Sequence, residues 1–344
     1  MQPASMPGGR GSPGQNGPAP GLAVGPIGLV AALRVQSALA AALMAAFCAA
    51  ALAGVGFGMG AQVAVLLVAI VLVGFPHGAF DHLVALPILR PRLGRHWWAP
   101  FGLGYLALAG LVWLAWLAAP TATLAGFLVA SVLHFGLGDV EDGLAPRRVP
   151  VAVSVLTYGA LPILLPMALH PADAAPVLAA LADVPVGAMQ DTLGLATWLL
   201  LPWCVAFAVV VLAALRERRG VAERLAMAAG FVLLPPLLAF GIYFGAGHAV
   251  RHLLRLGAWH GGPPRAAARW MAWTMLPAAA VCAAGIAGLA WLGRDAAADV
   301  LAPLFRVIAA LTLPHMVVTA WLDTQPAGGV RPDAVVAAGA APPP

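Results

Sequence analysis

Apolar runs long enough to cross a bilayer recur along nearly the whole chain, separated by short polar breaks. A spanning helix needs about 20 mostly apolar residues. Such stretches fall at about 36–57, 62–88, 97–118, 121–138, 150–169, 194–215, 224–256, 270–292 and 300–322. The pattern predicts an all-α, polytopic transmembrane helical bundle of about eight or nine spans. The seventh stretch exceeds one simple span and contains Pro235-Pro236, which either kinks it or divides it in two. Residues 173–192 are too polar to cross comfortably and read as an interfacial helix or loop. No internal repeat is evident.

Arginine placement adds an orientation. Arg34, then Arg90, Arg92 and Arg95, then Arg147 and Arg148, then Arg216, Arg218 and Arg219 fall in alternate loops. The loop after the fifth stretch is acidic, with Asp173, Asp183 and Asp191. This puts the N-terminus in the cytoplasm, as a multi-pass protein of the inner (cytoplasmic) membrane. The alternation fails at Arg251, Arg255, Arg265 and Arg269, which a single crossing by 224–256 would leave outside. A double crossing at Pro235-Pro236 would repair it, and the sequence does not choose. Residues 1–35 and 324–344 read as disordered Gly-, Pro- and Ala-rich tails, which leaves 36–323 as one membrane-embedded domain.

Composition agrees with the pattern. The 344 residues are 62% hydrophobic and 9% charged, whereas a soluble domain carries about 25% charged residues. The net charge of +5 comes from arginine alone, since no lysine occurs. Those arginines sit between apolar runs and read as topology signals, so nucleic acid is not an expected partner. Cys48, Cys204 and Cys282 lie inside apolar runs without metal-type spacing and read as buried small side chains.

The chemistry lies in the histidines. Of nine, six fall in or at the ends of apolar stretches: His77 and His82 in P-H-G-A-F-D-H, His134 in H-F-G-L-G-D, His248 and His252 in H-A-V-R-H, and His315 in P-H-M. His96, His170 and His260 look peripheral. Ionisable groups inside a membrane are expensive and usually functional. His248 and His252 share one helix face at i, i+4, a spacing that suits one metal but also suits two polar groups lining a wet cavity. His77 and His134 sit beside Gly78, Gly136 and Gly138, where backbones can approach closely. Several such histidines in separate spans point to a metal site between helices. With no cysteine in position, imidazole suits Fe, Zn, Cu or Ni. Asp81 and Asp139, four and five residues after His77 and His134, read either as ligands, as acceptors that fix a histidine tautomer, or as ordinary helix-end carboxylates.

Several chemistries are excluded. No H-E-x-x-H occurs, so a zinc-protease arrangement is missing. Glu141, Glu217 and Glu223 lie in loops or at span ends, and no G-x-S-x-G occurs. A desaturase-type diiron site would need more histidine boxes. Without lysine the chain forms no retinal Schiff base. G-L-G-D at 136–139 with F-D at 80–81 has the form of an intramembrane aspartyl protease pair, but that reading leaves the histidines unused.

P-H-G-A-F-D-H, H-F-G-x-x-D, H-x-x-R-H and a late P-H-M, in this order on a polytopic chain, resemble the Brp/Blh family of bacterial and archaeal integral-membrane β-carotene 15,15′-dioxygenases. The resemblance covers about residues 60–323, so 36–323 becomes the catalytic domain. It implies cleavage of β-carotene by O2 at the central double bond to two retinals, on a non-haem Fe(II) held by His77, His134, His248 and His252. Asp81, His82, Asp139, Tyr243 and His315 are then residues of the pocket or supports of the ligands. Pro76 would bend or end its helix and Gly78 admit a close neighbour. Trp98, Phe135, Tyr243, Phe244 and Met316 are candidates to line a polyene tunnel, although ordinary packing explains any one of them. Gly247 departs from the bulky aromatic expected before His248, which bears on pocket shape. The lipid bilayer is the medium from which β-carotene is drawn, and a microbial rhodopsin is the natural retinal acceptor. Two readings from other classes stand beside this one. One is a haem- or metal-binding electron-transfer protein, and the other is a non-enzymatic transporter or scaffold whose histidines line a proton path.

Overall fold

The computed structural model describes residues 26–141, 145–217, 221–259 and 294–323, with the isolated positions 269, 273, 280 and 284. No strand occurs among the described residues. The helices are α1 (Pro26–Leu52), α2 (Met59–Ala69), α3 (Phe75–Ala79), α4 (Asp81–Leu93), α5 (Trp98–Ala118), α6 (Pro120–Glu141), α7 (Val151–Leu169), α8 (Pro171–Ala182), α9 (Val186–Gly194), α10 (Leu200–Arg216), α11 (Ala222–Leu233), α12 (Pro236–Ile242), α13 (Val250–Trp259) and α14 (Arg294–Asp323). α1 begins within the stretch read from sequence as a tail. Much of its outer face is apolar and exposed, as Val35, Leu39 and Leu43 show.

Six helical stretches are long and apolar enough to cross a membrane: Leu29–Leu52, Met59–Leu86, Trp98–Ala118, Pro120–Val140, Val151–Leu169 and Val186–Arg216. Phe305–Trp321 is apolar but shorter. The expected stretch 270–292 lies outside the described residues. The expected 224–256 does not run as one helix. Leu234 and Pro235 are extended, at ψ 153° and ψ 143°, and Pro236 opens the next helix, where its missing N–H costs nothing. The polar segment 173–192 is helical, as α8 and α9, divided where Asp183 takes a left-handed φ of 58°. Of the cysteines described, Cys48 is buried as expected, whereas Cys204 is exposed on α10. The sequence could not separate a lipid-facing side of a helix from a packed one, because both are apolar.

Two features position the site. First, glycines bring helices into backbone contact. A Cβ at Gly136 would overlap the Val155 carbonyl of α7, and one at Gly159 would overlap the Val132 carbonyl of α6. Gly245 meets Ala69, where an added Cβ would lie 2.7 Å from the alanine methyl. Gly78, by contrast, meets nothing within 4 Å among the described residues, so the close neighbour expected there is not found among them.

Second, two wide π-helical turns flank the histidines, at Ile70–Gly74 and Tyr243–Ala249. Proline lacks an N–H and its ring collides with the carbonyl four residues back. Ahead of Pro76 the chain absorbs this by widening one turn, so that the Phe75 N–H reaches the Ile70 carbonyl. Pro76 therefore stays inside a helical run that breaks only at Phe80. π turns of this kind recur at functional sites. The two wide turns pack on each other, with Phe244 seated over Gly74.

Candidate metal centre

Five imidazoles from five segments converge inside the bundle. His77 comes from α3, His134 from α6, His248 from the second π turn, His252 from α13 and His315 from α14. The His77 ring centroid lies 4.3 Å from that of His252, 4.4 Å from His315, 5.4 Å from His248 and 6.4 Å from His134. Nε2 of His134 and Nε2 of His248 are 3.2 Å apart. His77, His134 and His315 each present a ring nitrogen within 4.8 Å of the other two. His77, His248 and His315 are no more than 5% exposed.

The donor set fits a metal. His77 Nδ1, His252 Nε2 and His315 Nε2 are buried with no hydrogen-bond partner among the described residues. Each such orphan costs about 1–3 kcal/mol, and three on facing rings are not a packing accident. A single ion that accepts their lone pairs removes that cost. Two nitrogens bound to one metal at about 2.0–2.1 Å lie at a separation close to that of the His134 and His248 Nε2 atoms. Imidazoles without thiolate suit Fe, Zn, Cu or Ni.

Around the rings are two carboxylate systems. Asp81, 3% exposed, lies 2.7 Å through Oδ1 from His315 Nδ1, and its Oδ2 accepts from the Tyr105 hydroxyl at 2.9 Å. Asp139, 1% exposed, accepts instead from arginines. Arg251 pairs with its Oδ1, Arg224 Nη1 lies 3.2 Å from Oδ2, and the Tyr243 hydroxyl is 3.4 Å from Oδ2. Arg251 also pairs with Glu223, which accepts from the Ser37 hydroxyl. Asp139 thus anchors the segment carrying His248 and His252 to α6 and does not orient His134. Arg255 donates to the Gly138 carbonyl at 2.7 Å. Gly138 leaves room for the His248 ring, 3.2 Å from where a Cβ would stand.

This network accounts for Arg251 in the failed arginine alternation, while Arg265 lies outside the described residues. Arg251 is 3% exposed and neutralised internally, so it carries no topological information. Arg251, Arg224, Glu223 and Tyr105 were not foreseen as site residues. The broken arginine pattern was the available signal for Arg251. Another lay in the tyrosines. The chain has three, and each meets a charged group here: Tyr105 with Asp81, Tyr243 with Asp139, and Tyr158 beneath the Arg224 guanidinium at 4.9 Å.

The other expected residues fall as follows. His82 is half-buried at the start of α4 and pairs with the Ala79 carbonyl that ends α3, 2.9 Å away, outside the imidazole cluster. Phe135 packs edge-on to His248 at 4.9 Å, Phe244 stacks on the same ring at 6.2 Å, and Tyr243 packs against Phe135. Trp98 is 62% exposed and is not among the residues lining the cavity at the histidines. Gly247 faces Glu223 and Met227, so its missing side chain leaves the pocket unchanged.

A cavity of about 410 Å³ reaches His134, His248 and His252. α6 contributes Ala130, Leu133 and Leu137, and α14 contributes Leu313, Met316, Val317 and Ala320. Leu133, Leu137 and Val317 are 41–52% exposed, so the cavity borders apolar outer faces of the bundle.

The family described as Beta-carotene 15,15'-dioxygenase matches residues 68–323. A relative named as a probable beta-carotene 15,15'-dioxygenase, Blh, from Halobacterium salinarum is 34% identical over 306 residues, covering 79% of this chain and 88% of its own. A beta-carotene 15,15'-dioxygenase from an uncultured marine bacterium is 27% identical over 193 residues, covering 54% of this chain and 66% of its own. No solved structure matches the chain.

Proposed function

The chain belongs to the beta-carotene 15,15'-dioxygenase family, and from that premise we propose that it cleaves β-carotene with O2 to two retinals at a non-haem iron held by His77, His134, His248 and His252. The central C=C breaks, two C=O bonds form, and both oxygen atoms of O2 end in the products. The observation that supports this best is a cluster of imidazoles with buried, unpartnered nitrogens, of which His134, His248 and His252 line an apolar cavity. A C40 hydrocarbon is dissolved in the bilayer. A cavity bordered by outward-facing Leu133, Leu137 and Val317 admits it sideways, with no passage through water.

Fe(II) bound by these nitrogens would supply the redox centre that activates O2. The protein supplies the rest. Neutral imidazoles hold the ion in a site walled by Phe135 and Phe244. The apolar faces of α6 and α14 align the polyene and keep water out, which favours reaction by orientation. The Asp139–Arg251 pair holds His248 and His252 against α6. The setting we propose is the inner membrane, with a microbial rhodopsin taking the retinal.

Expression in a bacterial host that accumulates β-carotene tests the reading, with pigments separated by chromatography. Wild-type protein is expected to convert β-carotene to retinal, with label from 18O2 in the aldehyde. His77→Ala and His134→Ala are expected to leave the pigment intact. Unchanged β-carotene beside folded, iron-loaded wild-type protein would overturn the substrate.

A further inference from the structure

We infer that His315 is a fifth metal ligand, and that Asp81 and Tyr105 are the residues that aim it. The inference rests on the metal reading of the site above and extends it to a residue outside the four proposed ligands. Three observations carry it. The His315 ring is 4.4 Å from His77 and 5.3 Å from His134, centroid to centroid, so it lies inside the cluster. Its Nδ1 is 2.7 Å from Asp81 Oδ1. Its Nε2 is buried without a hydrogen-bond partner among the described residues.

These facts fix one tautomer. A carboxylate only accepts, so Nδ1 must carry the proton. The lone pair then sits on Nε2, the atom left facing the other imidazoles. Carboxylate–histidine–metal arrangements use the same logic, in which the outer carboxylate sets ring orientation and raises ligand basicity. Asp81 is itself held. Its second oxygen accepts from Tyr105, whose hydroxyl also lies 3.1 Å from the Leu311 carbonyl, one turn before His315 on α14. Tyr105 therefore ties α5 to both the carboxylate and the helix that carries the ligand. A histidine serving only to pack would be satisfied through Nδ1 on Asp81 but would leave Nε2 buried without a partner among the described residues, a cost that a bound ion removes.

The test uses the purified full chain in detergent, stripped of metal and titrated with Co(II), whose visible bands report coordination, and with Fe(II) against a competing chelator. His315→Ala is expected to weaken both metals at least tenfold and to change the Co(II) bands, and added imidazole is expected to restore them. Asp81→Asn keeps the ring but loses the anionic acceptor, and is expected to weaken binding about 10- to 100-fold. Tyr105→Phe should weaken it less, and His82→Ala not at all. Asp81→Asn and Tyr105→Phe keep the inference testable should His315→Ala not fold. Wild-type affinity and bands in His315→Ala, with binding lost in His77→Ala, would overturn the fifth ligand and leave the proposed iron site standing. No metal uptake by the wild type would overturn both.

Discussion

Asp139 concentrates the electrostatics of the site in one side chain. It meets Arg251, Arg224 and Tyr243 while 1% exposed. A buried ion pair contributes little net stability, but removing one partner strands the others. Asp139→Asn would leave two buried guanidiniums sharing Glu223, and is expected to cost about 3–5 kcal/mol. Thermal unfolding in detergent checks this. Iron retention should fall in parallel, because Arg251 stands between His248 and His252. Tyr243→Phe removes only a 3.4 Å contact and is expected to cost about 0.5–1.5 kcal/mol. Losses of similar size for the two variants would mean that the charge on Asp139 is not what matters.

Among elements, the α6–α7 pair is the tightest seam described. Backbone meets backbone at Gly136 and Gly159, so no flexible side chain can yield there. Gly159→Val must push α6 away from α7, and overpacking of this kind costs about 1–3 kcal/mol. Since α6 carries His134, iron affinity should drop as well. Gly78→Ala is the control. It lies one residue from His77, yet meets open space among the described residues, and alanine in place of a helical glycine is expected to gain about 0.5–1 kcal/mol. Paired unfolding and iron-binding curves would separate the two. A harmless Gly159→Val would show that the α6–α7 spacing is not fixed by that glycine.

For the molecule as a whole, what matters is where the cavity meets the exterior. Leu137 and Val317 border it from α6 and α14 and are exposed. Leu137→Trp or Val317→Trp would narrow that entry without touching an imidazole. Each is expected to raise KM for β-carotene several-fold with iron content unchanged. A fall in kcat at constant KM would instead place the restriction at the reacting bond. Saturating iron should stabilise the fold by about 2.7 kcal/mol at 100 times its dissociation constant, read as a higher unfolding temperature than that of chelator-treated protein.

The sequence alone determined the all-helical, membrane-spanning class, because long uncharged runs permit nothing else in lipid. Ionisable groups inside such runs stand out locally, and they marked six histidines, His77, His82, His134, His248, His252 and His315; the choice of His77, His134, His248 and His252 among them came from the family resemblance. What it could not settle was partnership. His82 and His315 looked alike, each in a motif at the end of an apolar run. Only the fold turned His82 back onto Ala79 and brought His315 across 234 positions to Asp81. Asp81 and Asp139 likewise looked equivalent, yet one faces a histidine and the other two arginines. Glu223 and Arg224 carried no local mark at all. Gly78 and Gly159 are the same residue with opposite surroundings. Local sequence fixes backbone conformation and the spacing of groups along one helix. Which buried polar groups meet depends on which helices lie side by side, and apolar faces that suit lipid and protein equally do not record that choice.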